Sequence, residues 1–333
     1  MSMPNTKIAM EGELTAEKRA TLLEFHPILE KNYRLPTPML ERTYAVIRER
    51  VWMKRTGVYL YASPRIGKTV CAEQVQALLL LEFPRLHIMR ISARRSLRPS
   101  DAHLFRLLLD SVNHVLSKRT SVDLLFQNVK SDIMMNLATL GGTHFVLIID
   151  EMHLLNDIDL EQLLALHNTL HMEKISMTTI SFAQPEIKEK VTGLMTRRQH
   201  QILARFLAEP IPFEGCISVD DFRKILRSYD VDSEYPEGSG WSYTRFFLPK
   251  AYQAGFRLTN YSEEIWDALL NALGSYAGAG VPMEHICLTI EYLLLALRAD
   301  DCPNVIISDK ACTDAVGAAN LATFNGLMHN SVP

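Results

Sequence analysis

Lys68 and Thr69 are the first residues of this sequence whose types and spacing call for a specific chemistry. They close a short polar run, Ser63-Pro64-Arg65-Ile66-Gly67. That run follows the apolar stretch Val58-Tyr59-Leu60-Tyr61 and precedes a helix-favouring segment from Val70 onward. Strand, loop and helix in that order make a phosphate-binding loop. Backbone N–H groups at a helix start lack partners and carry partial positive charge, so they suit a phosphate. In this reading Ser63, Pro64, Arg65, Ile66, Gly67, Lys68, Thr69 and Val70 surround the phosphates of ATP. Gly67 lets the backbone come close, Lys68 reaches the β- and γ-phosphates, and the Thr69 hydroxyl sits on Mg²⁺. One position departs from the pattern: the loop usually begins with glycine, and here that residue is Ala62. If the loop needs φ > 0 there, alanine is strained. The alternative for this stretch alone is a strand–turn–helix with a surface lysine.

A second pair completes the chemistry. Asp150 and Glu151 end the run Phe145-Val146-Leu147-Ile148-Ile149. Five consecutive apolar residues suit a strand buried on both faces of a parallel sheet. Ligands of open α/β sheets bind at the carboxyl ends of such strands. Asp150 is expected in the Mg²⁺ shell, and Glu151 is expected to polarise the attacking water. The alternative is a helix cap at Asp150. A third strand end, Phe182-Ala183-Gln184-Pro185, places Gln184 to feel the γ-phosphate or the water; its alternative is a turn residue before Pro185. The loop and the acidic pair reinforce each other because one phosphate reaction needs both.

The elements that must carry these residues follow from periodicity. Strands are expected near 58–61, 86–91, 145–149, 175–182 and 210–213, alternating with helices, which makes an α/β class with a parallel five-stranded sheet. A helix is expected over 15–24. Thr37 is set to cap the next helix, with Pro38 at its first position. Tyr33 to Pro36 either borders an adenine or packs as a plain connector. Pro99-Ser100-Asp101 should start a helix running to about 117–120 with Leu104, Leu108, Val112 and Val115 inward, and a second helix spans 121–140. From Ser218 the pattern becomes all-helical, with helices near 218–227, 244–254, 262–273 and 282–299 and a last one after Ser308. Ser262 reads as a cap. The division expected is an extension over 1–37, the α/β core over 38–215 and a helical lid over 216–333.

Composition narrows the class further. The 333 residues are 47% hydrophobic and 22% charged, ordinary for a globular protein. A net charge of -3 means that any nucleic-acid surface must be a local patch. Five scattered cysteines without a CxxC pair read as thiols of a reducing compartment. No signal peptide and no long apolar run is visible, so a cytoplasmic protein without membrane contact is expected.

These motifs resemble the AAA+ ATPases: Ala62–Thr69 matches the first Walker motif, Phe145–Glu151 the second, and Gln184 the first sensor position. Within that class, Asp150-Glu151-Met152-His153-Leu154-Leu155, Phe182-Ala183-Gln184-Pro185-Glu186 and the tail Gly280-Val281-Pro282-Met283 are similar to the TnsC/TniB regulators of DNA transposition. The resemblance covers about residues 35–320. It implies an AAA+ P-loop core with a helical lid and a homo-oligomer, a ring or filament, that assembles on duplex DNA with ATP. Such an assembly links a TniQ-like target-selection protein to a transposase and falls apart on hydrolysis. The compact size is similar to versions from CRISPR-associated transposons. ExeA-type secretion ATPases and helicase loaders share much of the pattern, and a nucleotide-binding scaffold with negligible hydrolysis is a further alternative. The lid lacks an evident sensor-2 arginine near Gly280-Val281-Pro282. Arg205 is the first choice for an arginine finger reaching a neighbour's γ-phosphate, with Arg197 and Arg198 next. The resemblance places Arg94, Arg95, Arg98, Lys118 and Arg119 along the DNA channel, where phosphate contacts would be sequence-independent and salt-sensitive. Their alternative is a solvated charged face.

Overall fold

The five apolar runs become five parallel strands in a computed structural model that describes residues 14–96, 98–114, 120–274 and 280–329. They are β1 (Gly57–Tyr61), β2 (Leu86–Ser92), β3 (His144–Asp150), β4 (Ser176–Ala183) and β5 (Pro210–Pro212), each edge within one residue of its sequence expectation. The order across the sheet is β2-β3-β4-β1-β5. All seven residues of β3 are buried. The two-residue period of a strand sends Phe145, Leu147 and Ile149 into one apolar cluster and Val146 and Ile148 into another, on the opposite face. Each fully buried Val, Leu or Ile of this kind contributes about 1.5–3 kcal/mol relative to its exposed state. The order has a direct consequence for the site. Because β4 lies between β1 and β3, its end brings Gln184 between the loop after β1 and the carboxylates after β3.

Contacts divide the chain into two units, 39–214 and 14–38 with 215–329. The helices α1 (Ala16–Leu23), α2 (Pro38–Trp52), α3 (Lys68–Glu82), α4 (His103–Ser111), α5 (Val122–Leu140), α6 (Asp157–Met172), α7 (Ile187–Thr196) and α8 (His200–Phe206) run from the first residues through the sheet unit. Thr15 caps α1 and Ser121 caps α5. The helix expected to reach 117–120 ends instead at Ser111. Val112 is its C-cap and Asn113 turns left-handed at φ 57, while Val115 lies outside the described residues. A close approach explains one glycine: a Cβ at Gly57 would stand 2.3 Å from the Arg205 carbonyl oxygen, so only glycine lets β1 pass the end of α8 there.

The second unit contains α9 (Val219–Arg227), α10 (Tyr243–Phe247), α11 (Pro249–Gln253), α12 (Ser262–Leu273), α13 (Met283–Leu297), α14 (Asp309–Ala318) and α15 (Leu321–His329). The single helix expected over 244–254 is two, because Pro249 pushes Leu248 out of the helical region to φ -126, ψ 58. The last helix is likewise two. Ser262 is the first residue of α12 rather than its cap, and its hydroxyl accepts from Arg223 Nε at 3.3 Å. Residues 14–37 pack into this unit. His26 sits among the rings of Tyr235, Tyr243, Phe246 and Phe247, with centroids 4.6–4.9 Å away. Tyr33 donates to Glu291 at 2.8 Å and shares a 2.8 Å hydrogen bond with Tyr229, and Lys31 pairs with Glu291. With its hydroxyl engaged in this buried cluster, Tyr33 packs as a connector residue, the second of its two sequence readings.

Candidate nucleotide site

The loop after β1 takes its shape from two left-handed residues, Arg65 at φ 63 and Gly67 at φ 111. Ala62 is not among the residues with positive φ, so alanine at the loop's first position carries no backbone strain. Its N–H donates to the Ala183 carbonyl at 3.2 Å, which ties the loop to the end of β4. Ile66 is buried and anchors the loop tip in the cluster beneath α3, whereas the Val70 side chain is exposed and only its backbone faces the loop. Pro64 and Ser63 complete the turn, and the Ser63 carbonyl accepts from Lys68.

Lys68 is nearly inaccessible, and its ammonium donates to the carbonyls of Ala62 and Ser63, both at 2.8 Å. Burial lowers its pKa, while Glu151, Asp150 and Glu186 oppose that shift. A desolvated cation held only by neutral carbonyls and nearby carboxylates is poised to gain from an incoming phosphate.

Thr69 Oγ1 donates to Asp150 Oδ2 at 2.8 Å, and the Glu151 N–H donates to Asp150 Oδ1 at 3.0 Å. Both are hard oxygen donors of the kind Mg²⁺ prefers. Neighbouring ligands of an octahedral Mg²⁺ bound at about 2.0–2.1 Å lie about 2.9 Å apart, so the Thr69–Asp150 spacing fits one edge of that shell. Among the described residues no cluster of three or more His, Cys, Asp or Glu side chains could hold a metal.

Glu151 sits at φ 55, ψ 38, an uncommon conformation for a residue with a side chain and one that costs on the order of 1–3 kcal/mol. Strain of this kind is retained where neighbours over-determine it. Here Gln184 Nε2 donates to Glu151 Oε2 at 3.0 Å. His153, to which the sequence motifs assign no role, lies in the following turn, Met152–Leu154. Its Nδ1 stands 3.2 Å from the Gln184 backbone nitrogen and 3.3 Å from Glu151 Oε2. The signal was available in the spacing Asp150-Glu151-x-His153, but only the turn geometry brings the ring back onto the strand end.

The arginines separate. The Arg205 guanidinium makes no hydrogen bond or ion pair among the described residues, and its backbone is locked against Gly57. Arg197 is bound to Asp157 at 2.8 Å, and Arg198 is exposed. Arg94, Arg95 and Arg98 are exposed in the segment that leaves β2, where the Ala93 N–H donates to the Asp150 carbonyl at 2.9 Å. Lys118 and Arg119 lie outside the described residues. Among the described residues no helix is long and apolar enough to cross a membrane.

Comparison with known proteins agrees with this layout. Residues 52–191 match the family model described as AAA domain. No curated protein matches the sequence. The Aeropyrum pernix ORC2 protein in ADPNP-ADP complexes is similar in structure, with a TM-score of 0.60 at 11% identity over 92% of this chain and 75% of that one. Its ADP form gives 0.55 at 12% identity over 87% and 71%. At such identities the likeness concerns the fold, and with the strand order, the loop and the helical region it shows that this chain has the AAA+ P-loop fold.

Proposed function

We propose that the protein is an ATPase that uses ATP as an assembly switch on duplex DNA and regulates transposition. The observation that carries the nucleotide part is the joined set Lys68, Thr69–Asp150 and Glu151–Gln184, drawn from the ends of three neighbouring strands. Lys68 would leave its two carbonyls for the β- and γ-phosphates. Thr69 and Asp150 would hold Mg²⁺, which supplies charge neutralisation on the phosphates. Glu151 would take the proton of the attacking water, and Gln184 would orient it. The similar ORC2 structures, solved as ADPNP-ADP complexes and in an ADP form, support a nucleotide at this position. Arg205, whose guanidinium makes no hydrogen bond or ion pair among the described residues, is the finger that would complete a neighbouring subunit's site in a homo-oligomeric ring or filament.

The DNA part rests on Arg94, Arg95 and Arg98, exposed and without an ion pair among the described residues, in the segment that leaves β2 beside the strand end that holds Asp150. One protomer touches few phosphates, but an oligomer multiplies them. This reconciles DNA binding with a net charge of -3. A transposase and a TniQ-like target selector are the partners that the motif resemblance gives to such an assembly. The test is duplex-DNA binding with ATP, with ADP and without nucleotide, together with electron microscopy of the same samples. Rings or filaments on DNA with ATP alone are the expected outcome. Arg94→Ala with Arg95→Ala should weaken binding about tenfold or more and flatten its salt dependence. Absence of DNA association in every nucleotide state would sink the DNA and transposition reading and leave the ATP site standing.

A further inference from the structure

His153 meets two strand ends at once. Its side chain is 11% exposed. A backbone N–H can only donate, so the 3.2 Å contact from the Gln184 nitrogen makes Nδ1 the acceptor and puts the ring proton on Nε2. The surroundings favour that neutral form. Burial lowers the pKa of His153 first, and Lys190 on α7 and Lys68 on α3 act in the same direction. Glu151 and Glu186 oppose them. With its lone pair directed at Gln184, Nδ1 offers no attraction to Glu151 Oε2 at 3.3 Å. What holds that carboxylate is Gln184 Nε2, at 3.0 Å. The chain of dependence therefore runs from imidazole to Gln184 backbone to Gln184 amide to carboxylate. The Glu151 backbone is held separately, by the Leu154 N–H donating to its carbonyl at 2.8 Å and by its own N–H on Asp150 Oδ1, so what this chain restrains is the side-chain carboxylate.

We infer that His153 is a positioning residue for ATP hydrolysis: it anchors the end of β4 through the Gln184 N–H and thereby sets where Gln184 holds the Glu151 carboxylate. The inference rests on the ATPase reading above. It predicts an asymmetry between two polar substitutions of similar bulk. The Oδ1 of asparagine falls where Nδ1 does, so His153→Asn keeps the acceptor. In His153→Gln the amide lies one bond further out, and the Gln184 N–H loses its partner.

Steady-state ATP turnover of the wild-type protein and both variants, with melting temperatures measured alongside, tests this. His153→Asn should stay within about threefold of wild type in kcat. His153→Gln should lose about tenfold or more in kcat with KM for ATP within about twofold, as expected when a reacting group is misplaced but binding is not. An imidazole ¹⁵N spectrum of the wild type at pH 7 should show an unprotonated Nδ1. Equal kcat for the two variants, a kcat loss that follows only a fall in melting temperature, or a protonated Nδ1 would overturn the role of His153. A wild-type protein that does not turn over ATP would overturn the ATPase reading itself, and the role of His153 with it.

Discussion

Glu151→Gln is expected to reduce ATP turnover by roughly 10²–10⁴-fold while leaving ATP affinity within about twofold, and to hold the protein in its ATP-bound assembly. The two effects separate because they belong to different parts of the site. In the proposed site, affinity would come from the loop, Lys68 and the Thr69–Asp150 pair, none of which bonds to the Glu151 side chain. Glutamine keeps the size of the side chain and an amide oxygen for Gln184 Nε2, but it cannot take a proton from water. Lys68→Ala should do the opposite, losing affinity first. The comparison calls for nucleotide binding and single-turnover hydrolysis on the same preparations. Turnover near the wild-type rate in Glu151→Gln would place the base elsewhere.

The second large effect is on stability in acid. His26 and His144 are buried, and burial depresses their pKa values to about 3 and about 4. Lys54 adds to the shift at His144, whose Nε2 lies 2.9 Å from the Thr178 hydroxyl. An unfolded histidine titrates near 6.5, so below that pH the unfolded chain binds protons that the folded chain refuses. Stability is therefore full above about pH 6.5 and is lost as the pH falls toward the folded values. At pH 5 the loss is about 2 kcal/mol per histidine relative to pH 7. The two histidines lie in different units, so both units should weaken. His26→Asn keeps an acceptor for the Ile28 N–H, which His26 Nδ1 receives at 3.1 Å, and removes the titration. Denaturant unfolding at pH 7 and pH 5 should show a pH difference smaller by about 2 kcal/mol in that variant. An unchanged difference would mean that His26 is not held neutral.

Much of this was legible in the chain. The strands announced themselves as apolar runs, and the loop and acidic pair as a candidate phosphate site, because those features are local. What stayed hidden needed neighbours far apart in sequence. The Gln184–Glu151 bond depends on β4 lying beside β3, a pairing no short segment encodes. The left-handed turn at Glu151 and the return of His153 depend on packing around that strand end. The strain feared at Ala62 did not arise, because the left-handed turns fell at Arg65 and Gly67 instead. Some misses were avoidable. Asn156 and Asp159 form a capping box at the start of α6, and Leu160, Leu163, Leu166 and Leu170 mark its buried face, all of it local to residues 156–170. Pro249 likewise signalled the break between α10 and α11.

The grouping of residues 14–38 with 215–329 bears on how the protein is made. A ribosome delivers the first segment, then the whole sheet unit, and only afterwards the aromatic rings that enclose His26 and the Glu291 that receives Lys31 and Tyr33. The first segment must therefore wait, with Ile28 and His26 uncovered, until residues 235–291 have been made. The sheet unit, contiguous in sequence, can close as it emerges. A nascent chain arrested just after residue 214 would hold a finished nucleotide-binding sheet and an N-terminal segment still without its counterpart. Such an intermediate is a natural client for chaperones, and residues 215–329 are what release it.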